Sequence, residues 1–403
     1  MKFFKKDELR LLWPFYLDAL FIGMLFLLPP FSILYFREIG LSLTQIGFLA
    51  SSSALAMILF EIPTGAIADI FGRKISVILG AFLSGIIVFS IFFFNEFYLI
   101  LILFFFWGAF GTLMSGADEA WIVDLLKHKK RKNLIHEYYT KRHSFISTSL
   151  LVSGIIGAIL VKQFGLGIIW LVTGGAMILT SLVLLFGQEY FVKKKQHIKE
   201  RTKELFSHTK KSINYSIKHQ TILFLVIISV IMIFLNNLAG DITWYPFLQD
   251  LGLQEYWFGY LYSSLMFLGI FIPYFSKPLI KKLGGYKNYF FTILFLMMLF
   301  LFSVGFINSL IFALIVFLLF MSMYDFYIPI NRIYFQNFIP GKMRATIGSF
   351  GNMVAALGVI IASPLAGFAA DNIGPQNTIF ISSFILIPMI ILYSKIKDSN
   401  REN

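Results

Sequence analysis

The chain alternates long apolar segments with short polar links along its whole length. A membrane-spanning helix needs about 20 predominantly apolar residues, and twelve segments meet this requirement. They cover residues 11–36, 43–68, 74–94, 97–125, 143–161, 165–187, 221–248, 256–276, 288–307, 309–338, 344–370 and 376–395. They lack the alternation over about ten residues that marks transmembrane β-strands. The pattern predicts an all-α polytopic membrane protein with twelve transmembrane helices.

The composition agrees with a lipid environment. Of 403 residues, 58% are hydrophobic and 14% are charged, whereas soluble domains carry about 25% charged residues. The chain has no cysteine, which excludes disulfides and thiolate metal sites. We expect no metal, no organic cofactor and, without a catalytic Ser/His/Asp arrangement, no enzyme activity. The first segment is too long for a signal-peptide core, and no small-residue cleavage site follows it.

The positive charges are distributed on one side of the predicted membrane. If both termini share a side, 31 of the 34 Lys and Arg residues lie there. Arg37 and Lys162 lie opposite, and Arg332 falls within a predicted helix. Since cytoplasmic loops are rich in Lys and Arg, we predict a multi-pass protein of the plasma membrane with cytoplasmic termini. The net charge of +13 is then a consequence of topology and indicates no nucleic-acid partner.

The longest hydrophilic stretch, residues 188–220, divides the segments into two groups of six. We therefore predict an N-terminal six-helix bundle (1–187), a basic cytoplasmic linker (188–220) and a C-terminal bundle with a short tail (221–403). The linker has apolar residues at near-helical spacing among its cations, which is typical of a helix on the anionic inner leaflet. A regulatory partner site is the alternative. We expect a monomer.

A short motif recurs four times, each time between the second and third helix of a three-helix unit. In each copy, an acid or a lysine lies four residues after the first motif position, and a glycine lies seven residues after it. The four sets are Gly65, Asp69 and Gly72; Ala158, Lys162 and Gly165; Lys277, Lys281 and Gly284; and Gly367, Asp371 and Gly374. The repeats predict four copies of one unit in alternating orientation.

The twelve segments, the basic central stretch and "GAIADIFGRK" at residues 65–74 resemble the major facilitator superfamily of secondary transporters. The family motif is matched by Gly65, Asp69, Gly72, Arg73 and Lys74. The chain departs from it at Ile70, where the family often has a further cation. The resemblance implies two pseudo-symmetric six-helix bundles around a central cavity, which is lined mainly by helices 1, 4, 7 and 10.

The resemblance also implies a cytoplasmic latch built on this motif. Asp69 is expected near the start of helix 11, where free backbone N–H groups and Arg344 favour an anion. Arg73 is expected to meet Asp124 at the inner end of helix 4. These contacts would hold one conformation and break in the other. The alternative is that Arg73 and Lys74 are only topological anchors.

Several acids fall within the predicted helices. A charged group at bilayer depth is costly, so each acid is a candidate functional residue. The proton-coupling candidates are Asp241, Asp325, Glu119, Asp118, Asp18 and Glu61. Only Arg332 opposes them deep within a predicted helix, so we expect some of them to take up and release protons. For Asp18 and Glu61 the alternatives are solvation from the cytoplasm and a structural hydrogen bond.

The remaining site candidates concern the substrate cavity. Asn237, Trp244 and Tyr245 share a helix face with Asp241 if helix 7 is continuous. Arg332 lies seven residues after Asp325 and therefore on the same face. We predict that these side chains, a polar stripe flanked by aromatic rings and one cation, line the cavity.

These features predict a transporter driven by an ion gradient, since the chain has no nucleotide-binding loop. An aromatic, negatively charged cavity favours export of lipophilic or cationic compounds by proton antiport. Against this, segment 5 lacks the Gly-Pro pair found in many drug antiporters of the family. The alternative is proton-coupled uptake of a small polar or anionic metabolite, with Arg332 binding an anionic group. A third possibility is a membrane sensor that transports nothing.

Overall fold

The computed structural model describes residues 4–25, 27–191, 219–339 and 344–396, with backbone alone for 344–350 and 352. Its regular elements in these ranges are α-helices and one short 3₁₀ turn, Ser383–Ile385. The helices are α1 (Glu8–Leu25), α2 (Leu28–Glu38), α3 (Leu43–Phe71), α4 (Arg73–Ile91), α5 (Phe97–Gly111), α6 (Ala117–His128), α7 (Asn133–Phe164), α8 (Ile168–Leu184), α9 (Gln220–Leu238), α10 (Asp241–Asp250), α11 (Trp257–Lys282), α12 (Tyr286–Val304), α13 (Leu310–Phe338), α14 (Arg344–Ile373), α15 (Pro375–Ser382) and α16 (Leu386–Lys395).

These helices account for the twelve predicted segments. Ten stretches within the described residues are long and apolar enough to span a membrane, and α5 and α8 are shorter apolar helices. The prediction of an all-α polytopic membrane protein is thereby confirmed. The predicted start of the fifth segment is wrong: α7 begins at Asn133, ten residues before residue 143. Residues 133–142 mix charged and aromatic side chains, so hydropathy does not predict them as part of a membrane helix, but they are helical.

Four predicted segments are each divided into two helices. α1 and α2 form the first segment, α5 and α6 the fourth, α9 and α10 the seventh, and α15 and α16 the twelfth. The first, fourth and seventh segments are each the first helix of a three-helix unit. The turn between α5 and α6 ends at Gly116, whose φ of 70° suits glycine. Irregular backbone at membrane depth is tolerated where protein or a water-filled cavity surrounds it.

The chain forms two compact units. Of the described residues, one unit contains 4–39, 52–191 and 255–263, and the other contains 40–51, 219–254 and 264–396. Residues 188–191 pack with the first unit, where the Gln188 carbonyl accepts a hydrogen bond from the Trp121 indole at 2.8 Å. Most of the predicted linker, residues 192–218, lies outside the described residues.

Each unit has an aromatic core between its helices. In the first unit, Phe15 packs edge-on against Trp121 with ring centroids 4.8 Å apart. In the second unit, Phe290 stacks on Tyr393 at 4.5 Å, and the hydroxyl of Tyr393 lies 2.9 Å from that of Tyr327. The aromatic rings of these interiors are closely packed, so they hold the functional side chains at fixed positions.

The predicted fourfold motif has a structural counterpart. Its four closing glycines all have positive φ angles: 104° at Gly72, 78° at Gly165, 81° at Gly284 and 84° at Gly374. Each glycine follows the end of a long helix, namely α3, α7, α11 or α14. A left-handed glycine is a common way to end a helix. The four motif copies thus share a glycine with a positive φ, and the predicted repeat of whole three-helix units stays a prediction.

The predicted topology can be tested with introduced cysteines, because the chain has none of its own. Asn95 and Lys130 are both exposed and lie in links at opposite ends of α5 and α6. We expect Asn95→Cys, and not Lys130→Cys, to react with an impermeant maleimide in intact cells. Lysed cells, in which both variants should react, provide the control. Labelling of Lys130→Cys in intact cells contradicts cytoplasmic termini.

Candidate functional site

Two helix breaks carry acids in the helical turn that follows them. α6 begins at Ala117, so Asp118 and Glu119 lie in its first turn. α10 begins at Asp241 itself. A helix N-terminus offers unpaired N–H groups and a positive dipole end, both of which favour a carboxylate. The backbone therefore compensates part of the charge on these acids. The sequence does not indicate this compensation, because the predicted helices 4 and 7 are continuous.

Asp118 also has a cation partner that the sequence analysis missed. The Arg142 Nη2 group donates to the Asp118 carboxylate at 3.1 Å. Because the fifth segment was predicted to begin at residue 143, Arg142 was assigned to a cytoplasmic link. It lies inside α7, with a side chain 16% exposed. The expectation that only Arg332 opposes the membrane acids is therefore wrong.

Lys141, the neighbour of Arg142, completes a second buried charge network. Its Nζ donates to Glu8 at 2.6 Å, and the Tyr16 hydroxyl donates to the same carboxylate oxygen at 2.7 Å. The other oxygen of Glu8 accepts from the backbone N–H of Lys5 at 2.7 Å. Glu8 has no exposed surface. The sequence feature that could have revealed both cations is the helical spacing of Tyr138, Lys141 and Arg142, since Lys141 and Arg142 lie three and four residues after Tyr138.

Asp18 lies in the middle of α1 and is partly buried. Arg142 and Asp118 are near enough for their charges to act on it. Within the described part of the chain no group donates a hydrogen bond to its carboxylate. Unlike Asp118 and Asp241, Asp18 has no helix N-terminus to compensate its charge.

In the second unit, Asp241 and Asp325 have different surroundings. The Asp241 carboxylate is hydrogen-bonded by the side chain of Tyr245, one turn further along α10. Asp325 faces Gly269 of α11, where a β-carbon would lie 3.6 Å from a carboxylate oxygen. Asp325 accepts no hydrogen bond from the described residues. Tyr324 lies near enough to both acids to interact with their charges.

The second unit contains a cavity of about 330 Å³ between α9, α13 and α14. Its polar lining residues are Ser229, Asn236, Asn237, Tyr324 and Asn331. Asn237, a predicted cavity residue, accepts a hydrogen bond from the Ser363 hydroxyl at 2.6 Å. Amides and hydroxyls both donate and accept hydrogen bonds, so this cavity is suited to a polar ligand.

Trp244 and Tyr245 do not line this cavity. They are 0% and 4% exposed, and Trp244 packs against Phe317 with ring centroids 5.1 Å apart. The break at Gly240 separates them from Asn237, so the predicted continuous face does not exist. The predicted aromatic cavity wall is instead part of the core. Spacing of aromatic residues alone cannot distinguish these two environments.

Three further charged candidates are exposed. Arg332 lies near the C-terminal end of α13, and no described carboxylate forms an ion pair with it. Its predicted place in the cavity opposite Asp325 stays a prediction. Glu119 and Glu61 are also exposed on their helices. Exposure to a membrane and exposure to a cavity look alike in sequence, because both positions lie within apolar segments.

The motif at residues 65–74 forms a network at the predicted cytoplasmic end of the first unit. Arg73 forms an ion pair with Asp124 and donates to the Ala120 carbonyl at 2.8 Å. The Lys74 Nζ group donates to two backbone carbonyls just after α8, to that of Leu185 at 2.7 Å and to that of Gly187 at 2.8 Å. The motif therefore joins α4 to α6 and to the end of α8.

Gly72 and Glu189 complete this network. The Glu189 carboxylate accepts from the Lys74 backbone N–H at 2.9 Å, at the N-terminus of α4. A β-carbon on Gly72 would lie 3.0 Å from that carboxylate, and the φ of 104° is unfavourable for other residues. A cavity of about 380 Å³ beside it is lined by Asp69, Arg73 and Asp124, among others. The side chain of Arg344 lies outside the described residues, so the expected Asp69 contact stays a prediction.

Asp371, the repeat counterpart of Asp69, caps a helix in the second unit. Its carboxylate accepts from the backbone N–H groups of Leu43 at 3.0 Å and Thr44 at 2.8 Å, and from the Thr44 hydroxyl at 2.5 Å. These are the first residues of α3. The site shows that an acid at this motif position can bind a helix N-terminus, as predicted for Asp69.

The role of the Arg73–Asp124 pair can be tested by exchanging its charges. We expect Arg73→Asp to slow transport strongly, and Arg73→Asp with Asp124→Arg to recover part of the rate. The coupling energy should be about 0.5–3 kcal/mol, as found for residues in one ion-pair network. Initial rates in proteoliposomes measure it. Lys129→Asp, which changes an exposed cation on the same side, is the control. Additive effects of the two substitutions contradict a functional pair.

Two units of membrane-spanning helices, with carboxylates at the helix breaks, define a multi-pass transporter of the secondary type. The sequence profile described as Major Facilitator Superfamily matches residues 17–363. The chain belongs to this family, as its motif suggested, and it is a transporter and not an enzyme.

Relatives and solved structures agree with this assignment. The chain is 27% identical over 387 residues to the uncharacterized MFS-type transporter YxaM of Bacillus subtilis, covering 92% of each protein. It is 26% identical over 162 residues to the MFS-type transporter MJ1560 of Methanocaldococcus jannaschii, covering 40% of this chain and 41% of that protein. The nucleoside transporter NupG superposes with a TM-score of 0.75 at 14% identity, covering 98% of this chain and 100% of NupG. The D-xylose-proton symporter superposes with a TM-score of 0.63 at 14% identity, covering 95% and 97%. At such identities the structures indicate the shared fold alone.

Proposed function

We propose that the chain moves a small polar molecule, rich in hydrogen-bond donors, across the membrane by alternating access and couples this movement to protons. The observation that carries the proposal is the pair of helix breaks beside Asp118 and Asp241. Secondary transporters commonly build their substrate and ion sites at such discontinuous helices.

The acids at the breaks favour donors over anions on the substrate. A free helix N-terminus attracts an anionic group, but α6 and α10 already carry Asp118 and Asp241 there. An anionic substrate would meet these carboxylates, whereas hydroxyl or amino groups would find acceptors. Arg332, the predicted anion-binding residue, is exposed near the end of α13. Binding of an anionic metabolite by Arg332 stays the alternative.

The cavity lining favours a polar over a lipophilic substrate. Export of lipophilic compounds was predicted from an aromatic wall, but Trp244 and Tyr245 are buried in the core. The cavity of the second unit is lined by Asn236, Asn237 and Asn331 instead. Hydroxylated molecules such as D-xylose or nucleosides, named for two structural neighbours, have matching chemistry.

Proton coupling is supported by acids that lack compensation. Asp18 and Asp325 accept no hydrogen bond within the described residues, and both lie inside membrane-spanning helices. Ionised groups at such positions are costly, so they mark ion or proton pathways. The predicted energy source, a proton gradient, needs a carboxyl that can bind and release a proton on each side.

Transport in proteoliposomes with an imposed pH gradient tests this proposal. The panel consists of D-xylose, uridine and glucosamine as donor-rich polar compounds, gluconate as an anion, and tetraphenylphosphonium as a lipophilic cation. We expect proton-dependent flux of at least one compound of the first group. Flux of gluconate or tetraphenylphosphonium alone contradicts the proposed substrate class. Absence of flux with every compound contradicts the proposal and favours the sensor.

The same preparation distinguishes antiport from symport. In antiport, adding substrate to acid-loaded vesicles releases protons, because substrate and proton compete. In symport, substrate and protons enter together. Proton release supports export, our expectation from the sequence, and co-entry supports uptake. Substrate flux that is insensitive to a protonophore contradicts proton coupling in either direction.

A further inference from the structure

Two carboxylates and one guanidinium meet between α1, α6 and α7, and their pairing is incomplete. Arg142 donates to Asp118 at 3.1 Å through Nη2. Asp18 lies near enough to both residues for their charges to interact. It accepts no hydrogen bond from the described residues. Arg142 thus acts electrostatically on Asp118, on Asp18 and on the exposed Glu119, so Asp18 and Asp118 together exceed it by one negative charge unless one of them binds a proton.

Two buried polar atoms beside these acids also lack partners. They are Arg142 Nε and the Tyr138 hydroxyl, and no described group bonds to either. Tyr138 is 1% exposed, and it lies four residues from Arg142 on the same face of α7. A buried donor without an acceptor is destabilising. The Arg142 guanidinium can therefore take a second position, in which its Nε group and the Tyr138 hydroxyl donate to an acceptor.

The other ionisable groups around this cluster are occupied elsewhere or lie to one side. Lys141 and Tyr16 bind Glu8. Glu119 is exposed beside Asp118 and acts electrostatically on Tyr139. α8, which packs against α1, contributes no ionisable side chain. Arg142 is therefore the cation that can respond to the charge of Asp18.

We propose that Asp18 binds and releases the coupling proton, and that Arg142 moves from Asp118 towards Asp18 when the proton leaves. The coupling role rests on the proposed function; the proton-binding site does not. On release, the O–H bond of the Asp18 carboxyl breaks, the proton passes to water and the carboxylate keeps the electron pair. Arg142 stays charged throughout.

The exchange leaves no acid uncompensated. The Asp18 carboxylate becomes an acceptor for Arg142 Nε and for the Tyr138 hydroxyl. Asp118 then keeps the N-terminus of α6 as its source of compensation. Since α1, α6 and α7 each contribute one member, the exchange changes the contacts among three helices. Proton binding at Asp18 is thereby coupled to conformation, because Arg142 makes different contacts in the protonated and the deprotonated state.

Infrared spectroscopy of the chain in lipid, without substrate, tests the site. The probe is the proton itself. We expect a protonated-carboxyl band that disappears as the pH is raised. Asp18→Asn should lack it, Asp18→Glu should retain one at a shifted frequency, and Glu96→Gln, in an exposed link, should leave it unchanged. An identical band in wild type and Asp18→Asn overturns the proposal.

The positioning role of Arg142 predicts opposite shifts in two variants. Arg142→Gln removes the cation that stabilises ionised Asp18, so the band should persist to higher pH. Asp118→Asn frees Arg142 for Asp18, so the band should vanish at lower pH. Each shift should be roughly one pH unit or more, the effect of an adjacent opposite charge. A merely structural Arg142 predicts no shift, and shifts of the same sign overturn the exchange.

Transport separates this inference from the proposed function. A gradient of one pH unit supports roughly tenfold accumulation per coupled proton. Asp18→Asn should abolish that accumulation while equilibrium exchange of substrate continues. Retained accumulation in Asp18→Asn overturns Asp18 as the coupling site. If wild type itself shows no gradient-driven transport while the band is present, proton coupling fails and the proton site stands.

Discussion

Asp241→Asn should reduce both gradient-driven accumulation and equilibrium exchange, by roughly 10- to 100-fold. Asp241 opens α10, receives the Tyr245 hydrogen bond and shares Tyr324 with the cavity of the second unit. It is therefore the acceptor that we assign to the substrate. Hydrogen bonds to charged groups contribute about 1.5–3 kcal/mol, which corresponds to the expected range of affinity.

Proteoliposome assays of uptake and of exchange measure this effect on the same preparations. Asparagine has almost the shape of aspartate, so the helix start is preserved. Glu96→Gln is the matched control, since it removes an exposed carboxylate at the start of another helix. If Asp241→Asn keeps exchange and loses only accumulation, Asp241 carries the proton, as the sequence analysis suggested, and our division of roles is reversed.

Glu8→Gln should destabilise the first unit more than any other single charge removal discussed above. Glu8 is fully buried and accepts from Lys141, Tyr16 and the Lys5 backbone. Glu8→Gln leaves Lys141 with the 3.7 Å contact to the partly exposed Glu137, and losing one partner of a buried ion pair costs about 3–5 kcal/mol. For a unit of this size the unfolding midpoint should fall by roughly 6–20 °C.

Thermal unfolding of the purified chain in detergent measures this loss. Glu137→Gln is the control: Glu137 also pairs with Lys141 and Lys5, but its side chain is 29% exposed. It should cost less than about 1 kcal/mol. The double variant Glu8→Gln, Lys141→Met should recover stability, because no buried charge remains unpaired. Equal loss in the two single variants contradicts a special role for burial.

The positions of the charged residues show how far the sequence could be interpreted. The acids Asp18, Asp118, Asp241 and Asp325 were found because charge is rare within apolar segments. The cation partners of Asp118 and of the buried Glu8 were not found. Lys141 and Arg142 lie in a stretch of mixed polarity whose helix begins ten residues earlier than predicted. Hydropathy detects lipid contact, and a helix end buried within a bundle has none.

The helix breaks were equally hidden. Glycines at 116 and 240 are compatible with a continuous helix in an apolar segment, and in the structure each one precedes a new helix. The face shared by Asn237, Asp241 and Trp244 was predicted from an unbroken helical period. A two-residue interruption rotates and displaces everything beyond it. Packing decides whether such a break forms, because surrounding helices must satisfy the freed backbone groups.

By itself, the sequence determined the membrane class, the twelve segments, the fourfold repeat and the family. These properties follow from periodicity, composition and local backbone preference, which are written along the chain. Only the tertiary structure decided that Arg142 pairs with Asp118, that Trp244 belongs to the core and that Arg332 is exposed. Such facts depend on which helix faces meet. Residues on α1, α6 and α7 become neighbours through packing over long sequence distances, and no local pattern records that contact.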